Sequence, residues 1–126
     1  MEPRLRALLV EDNAVILENL QGLLEELSAV EVVGTVGAEV EACRWLDSRT
    51  QACDVAIVDL FLKQGTGLGV LMHMAGYAQP PERIVLTNYA TSAVRERCKA
   101  LGAVEVFDKS TEIEKLVDWL ASRIRH

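Results

Sequence analysis

A chain of 126 residues that is 50% hydrophobic and 25% charged has the make-up of one globular domain, able to bury about two-thirds of its unfolded surface. Thirteen lysines and arginines against nineteen aspartates and glutamates give a formal charge of −6, which argues against a nucleic-acid or anionic-membrane partner. No apolar run approaches the roughly 20 residues of a membrane span, and Met1-Glu2-Pro3-Arg4 has no apolar signal region behind it, so a cytoplasmic chain is expected.

In chain order, Leu5 to Val10 is an apolar run broken only by Arg6, and it stops at Glu11-Asp12-Asn13. Leu17, Leu20, Leu24 and Leu27 then recur at helical spacing. Val30 to Val36 is rich in β-branched residues and ends at Gly37; Val40, Cys43 and Leu46 predict a second helix. Val55-Ala56-Ile57-Val58 is a short apolar run suited to a strand covered on both faces. After the loop Lys63-Gln64-Gly65-Thr66-Gly67, a third helix is predicted through Leu68, Leu71, Met72 and Met74. Pro80-Pro81 then leads into Ile84-Val85-Leu86. A fourth helix should open at Thr91 or Ser92 and end near Gly102. Val104 to Phe107 is the last strand. Ser110 and Thr111 are expected to open a final helix with Ile113, Leu116, Val117, Leu120 and Ile124 on one face and Arg123 and Arg125 in its last turn.

Strands that alternate with helices in this way predict a doubly wound α/β domain with a parallel sheet. Its functional crevice should lie beyond the carboxyl ends of the strands. There the chain carries Glu11 and Asp12 after the first strand, Asp59 after the third, Thr87 and Asn88 after the fourth, and Lys109 after the fifth. Carboxylates gathered at one sheet edge repel one another unless a cation sits among them. An all-oxygen set with few protein ligands suits Mg²⁺. Lys109 and Thr87 add donors for an anion's oxygens. The set describes a carboxylate, Asp59, that can accept a phosphoryl group. Each residue alone has a plainer reading: Asp12 as a helix cap, Thr87 as a turn hydroxyl, Lys109 as a solvated charge. It is their joint placement that is specific.

The sequence resembles the response-regulator receiver domain, the CheY-like module of two-component signalling, from Leu5 to Ile124. The resemblance rests on Leu9-Val10-Glu11-Asp12-Asn13, Asp54 to Leu60, Gly65-Thr66-Gly67-Leu68, Ile84-Val85-Leu86-Thr87, and Gly102-Ala103 through Phe107-Asp108-Lys109. It implies a flavodoxin-like (βα)5 fold with five parallel strands in the order 2-1-3-4-5. It implies that Asp59 takes a phosphoryl group from a sensor histidine kinase or a phosphotransfer protein. Glu11, Asp12, Asp59 and the carbonyl of Phe61 would hold Mg²⁺, with Thr87 and Lys109 completing the site. The chain would be no enzyme beyond catalysing its own phosphorylation and dephosphorylation. Residues 1–126 are expected to form a single receiver domain with no output domain. It would act by protein contacts or phosphorelay, as a monomer or a phosphorylation-dependent dimer, with no direct nucleic-acid or membrane contact.

Several positions depart from the family pattern. Ser110 follows the lysine where many receivers have proline, often behind a cis bond, and Asn88 stands where a small residue is usual. The aromatic switch position is Val106, with Phe107 one residue later. Phe61 and Tyr89, two positions after Asp59 and Thr87, flank what would be the path of the hydrolytic water. The competing reading is a phosphate-independent pseudo-receiver, a binding module of the same fold. An aspartyl-nucleophile phosphatase is disfavoured, because Phe61 stands where such enzymes carry a second aspartate.

The remaining conspicuous residues have structural readings. Cys43, Cys53 and Cys98 are an odd set without metal-ligand spacing and are expected to be reduced, mostly buried thiols. His73 is expected at or near the surface, and Trp45 and Trp119 in the core or an interface. The pairs Arg95/Arg97 and Arg123/Arg125 are expected on solvated helix faces.

Overall fold

The structure is a computed structural model that describes residues 4–27, 29–49 and 52–124; Arg125 and the side chain of Ile124 lie outside what it describes. The five apolar runs form the strands β1 (Leu5–Val10), β2 (Val30–Val36), β3 (Val55–Val58), β4 (Glu82–Thr87) and β5 (Ala103–Asp108). All pair in parallel, in the order β2-β1-β3-β4-β5. Between them run the helices α1 (Ala14–Glu25), α2 (Glu39–Ser48), α3 (Gly67–Met74) and α4 (Ser92–Ala100), and α5 (Ile113–Ile124) follows β5. The fold is therefore the flavodoxin-like (βα)5 arrangement that alternating apolar strands and amphipathic helices predict.

Period-two alternation along the strands sorts the core into two layers. Leu8, Val10, Ala56, Val58, Val85 and Val106 face α2, α3 and α4, where Leu46, Val70, Leu71, Met74 and Cys98 meet them. Ala7, Leu9, Val55, Ile57, Ile84, Leu86 and Phe107 face α1 and α5, meeting Leu20, Leu24, Leu116 and Leu120. β3 is buried along its whole length, as a central parallel strand requires.

Helix starts follow local chemistry, with corrections. Asn13, not Asp12, caps α1, its side chain accepting from the Ile16 N–H at 3.0 Å. Thr91 caps α4 through the Val94 N–H, and Gly102, at φ +96°, takes the left-handed turn that ends it. α5 opens later than expected: Asp108 first gathers the Ser110 N–H, the Ser110 hydroxyl and the Thr111 N–H into a turn. The Lys109–Ser110 bond is trans, like every described peptide bond.

Helix faces also need correction. In α2 the buried positions are Ala42 and Leu46, whereas Val40 is 63% exposed; the small alanine faces inward. In α3 Met72 points outward. Arg95 is no solvated face residue. Its guanidinium donates to the carbonyls of Ala90 (2.9 Å) and Val106 (2.7 Å) and to Glu112 Oε1 (2.8 Å). Arg95 and the Asp108 N–H together hold the Glu112 carboxyl down at about 2. Arg123 is likewise engaged, pairing with Glu82 and lying over the Trp119 ring. Arg97 is exposed as expected.

Candidate functional site

The ladder of the sheet runs directly into the predicted crevice. The Glu11 N–H donates to the Val36 carbonyl, the Asp59 N–H to that of Val10, and the Lys109 N–H to that of Thr87, each at 2.9 Å. Parallel register thus brings the ends of β1, β3, β4 and β5 to one edge. Asp59 and Glu11 are buried, at 6% and 4% exposure, and Thr87 is fully buried. The Lys109 ammonium, its side chain only 9% exposed, contacts Glu11 Oε1 and lies 3.1 Å from Asp59 Oδ2. Carboxylate oxygens of Glu11, Asp12 and Asp59 lie within 4.8 Å of one another.

Electrostatics at this edge are tense. Burial pushes the Asp59 carboxyl up; the Lys109 ammonium opposes that, and the Glu11 carboxylate adds to it. One lysine cannot fully compensate three clustered carboxylates. The donor set, all oxygen and partly solvated at Asp12, fits a small hard divalent cation.

The segment after Asp59 folds back on itself. The Gly67 N–H donates to the Leu60 carbonyl at 2.9 Å, and Phe61 and Thr66 form an antiparallel bridge. The Lys63 N–H donates to Asp12 Oδ2, so the plain reading of Asp12 as a helix cap gives way to a tie between β1 and this loop. A Cβ on Gly67 would lie 2.2 Å from the Asp59 carbonyl oxygen, so only glycine permits this approach. Phe61 and Tyr89, in the loops after β3 and β4, are more than half exposed, their ring centroids 4.9 Å apart in an edge-to-face contact. Asn88 is exposed, and Thr87 Oγ1 accepts from the Tyr89 N–H at 3.2 Å.

The sequence matches the family described as the response regulator receiver domain over residues 7–121. The chain belongs to that family. Among curated relatives, it is 27% identical to a protein-glutamate methylesterase/protein-glutamine glutaminase of Koribacter versatilis over 96% of this chain and 34% of the relative. It is also 27% identical to the acid tolerance regulatory protein ActR of Rhizobium meliloti, over 92% of this chain and 58% of that protein. The receiver domain thus spans about a third to somewhat over half the length of these relatives. Among solved structures, the response regulator domain of Thermotoga maritima CheB superposes with a TM-score of 0.82 at 22% identity, covering 97% of this chain and 94% of that one. A LuxR-family two-component response regulator from Aurantimonas gives 0.86 at 23% identity, covering 96% and 85%. These structures share the fold.

Within the receiver domain the other conspicuous residues lie away from this edge. His73 pairs with Asp47 at 2.8 Å between α3 and α2, and Tyr77 donates to the same carboxylate. Burial pushes the Cys53 thiol up to about 11 and raises those of Cys43 and Cys98, so none is poised as a thiolate. Cys43 and Cys53 are only partly buried, unlike the expectation. Val106 is packed in the layer facing α4, and Phe107 in the layer facing α1 and α5. Glu39 is the polar residue near this loop that sequence reasoning missed: its partner Thr66 lies 27 residues along the chain, and nothing in local spacing marks it. Among the described residues, no helix is long and apolar enough to cross a membrane.

Proposed function

We propose that residues 1–126 act as one phosphoacceptor unit in which Asp59 receives a phosphoryl group from a histidine kinase or phosphotransfer protein. What carries this reading is the buried Lys109 ammonium held between Glu11 and Asp59, with the Asp12 carboxylate beside them, at the strand edge that also carries Thr87. An Asp59 oxygen attacks phosphorus as the bond to the donor imidazole nitrogen breaks. Lys109 and the Thr87 hydroxyl are the donors available to the incoming oxygens. Glu11, Asp12, Asp59 and the Phe61 carbonyl are the groups that would hold Mg²⁺, which supplies charge neutralisation for the approaching phosphoryl group. Apart from this self-directed chemistry no enzymatic activity is assigned to the chain, and its output is through protein contacts or phosphorelay. The phosphate-independent reading has no specific observation in its favour, since the acid–Asp–Thr–Lys set is assembled.

The test is incubation with Mg²⁺ and a small phosphodonor, read by intact mass and peptide mapping. One phosphoryl group at Asp59 is expected, and none in Asp59→Asn. Equal labelling of the asparagine variant would overturn the assignment.

The Phe61–Tyr89 pair bears on lifetime. Apolar walls over a reacting centre exclude water. Slow self-dephosphorylation is expected, and Phe61→Ser or Tyr89→Ser should each speed acyl phosphate decay several-fold. Decay that is unchanged in both variants would remove the screen from the account.

A further inference from the structure

α3 starts in an unusual way. Thr66 is its N-cap, and the Thr66 hydroxyl accepts from the Gly69 N–H at 3.0 Å. In a capping box, the third helical residue is a glutamate or glutamine that reaches back to the N-cap N–H. Here that residue is Gly69, which has no side chain to do so. The missing carboxylate comes from another helix. Glu39, the first residue of α2, accepts from the Thr66 N–H through Oε1 at 2.8 Å, and the Glu39 N–H donates to the Gln64 carbonyl at 3.1 Å.

Two glycines make room for it. A Cβ on Gly69 would lie 2.2 Å from Glu39 Oε2, and one on Gly65 would lie 2.3 Å from Glu39 Cβ. Glycine within a helix is less favourable than alanine, so α3 accepts a local penalty at Gly69 to seat a carboxylate from α2. Thr66, which Glu39 holds, is bridged to Phe61, and the Phe61 N–H approaches Asp59 Oδ1 at 3.3 Å. The chain of contacts runs Glu39, Thr66, Phe61, Asp59.

We propose that Glu39 is a positioning residue: by completing the capping box of α3 from α2, it fixes how Phe61 is presented to Asp59. It thereby sets Mg²⁺ affinity and the lifetime of the aspartyl phosphate. This inference rests on Asp59 as the phosphoacceptor.

Three variants test it: Glu39→Ala, Gly69→Ala, and the double variant Glu39→Ala with Gly69→Glu. Mg²⁺ affinity is read by calorimetry, decay by loss of the phosphorylated mass, and loop order by hydrogen exchange at the Thr66 amide. Glu39→Ala should weaken Mg²⁺ binding and speed decay, each about fivefold, and expose the Thr66 amide to exchange. Gly69→Ala favours the helix yet displaces the Glu39 carboxylate, so it should show the same functional losses without a loss of stability. The double variant returns the glutamate to its local position and should recover both readouts.

Full labelling at Asp59 with wild-type Mg²⁺ affinity and decay in the single variants would overturn the role of Glu39 alone. Wild-type protein that binds Mg²⁺ but takes no label overturns the phosphoacceptor reading, while the titration still decides Glu39. Wild-type protein that does neither overturns both.

Discussion

Lys109→Ala should cost the metal-free protein about 3–5 kcal/mol at neutral pH, because it strands two buried carboxylates without their cation. Glu11 and Asp59 are buried, and the Lys109 ammonium is the cation that contacts both. The loss should depend on pH with a definite sign. Burial already raises the Asp59 carboxyl, and removing Lys109 takes away the main opposing influence. A carboxyl raised in the folded state binds a proton more tightly there than when unfolded. Its stabilising contribution is therefore complete below the unfolded value of 3.8 and is lost as pH rises through the folded one. The variant should be close to wild type near about pH 4 and fall progressively behind toward about pH 8. Added Mg²⁺ should recover part of the deficit if it binds the same carboxylates. Urea unfolding across that range, with and without Mg²⁺, checks each part. A deficit independent of pH would mean that Lys109 contributes packing alone.

Gly67→Ala should be destabilising although alanine is the better helix former. The new methyl group would lie 2.2 Å from the Asp59 carbonyl oxygen and 2.7 Å from the Leu60 Cα. These are backbone atoms, so no rotamer change can relieve the contact, and either α3 or the Asp59–Leu60 segment must move. Forcing a group into so tight a space costs about 1–3 kcal/mol or more, above the roughly 1 kcal/mol gained in propensity. Labelling at Asp59 should slow as well, since the displaced backbone carries the acceptor. Gly22→Ala is the matching control. That glycine lies inside α1 with nothing within 4 Å of the added methyl group, so a gain of about 0.5–1 kcal/mol is expected. Thermal unfolding should therefore move in opposite directions for the two substitutions. Shifts of the same sign would contradict the packing described at Gly67.

The fold and the charged residues of the site were legible for one shared reason. Each strand is a short apolar run, and Glu11, Asp59, Thr87 and Lys109 stand at or just beyond the point where such a run stops. A parallel sheet turns that sequence position into a place in space. What stayed hidden depends on contacts with no local pattern. Glu39 looks like an ordinary acidic residue in the first turn of a helix, and its partner Thr66 belongs to a different element. Arg95 has the spacing of a surface residue, yet it reaches β5 and Glu112. Asp12 and Asn13 are equally plausible caps on composition, and only the backbone path decides that Asn13 serves α1. The α2 face was misread because a small inward alanine carries less apolar signal than an exposed valine.

The alternation of side chains along β5 has a further consequence for how a displacement at Asp59 could travel. Val106 and Phe107 are adjacent in sequence and belong to opposite layers, the first toward α4 and the second toward α1 and α5. A strand cannot turn one residue over without turning its neighbours, so the side chains of each layer come from residues of one parity. Thr87 and Val85 on β4 share a parity, and Val85 packs in the same layer as Val106. Any displacement of Thr87 would therefore be felt first in the layer on the α4 side, the helix from which Arg95 donates to the Val106 carbonyl. The one aromatic ring of β5 sits on the other channel. In this molecule, parity places the Val106 side chain toward α4 and leaves the phenyl ring of Phe107 as packing for the opposite layer.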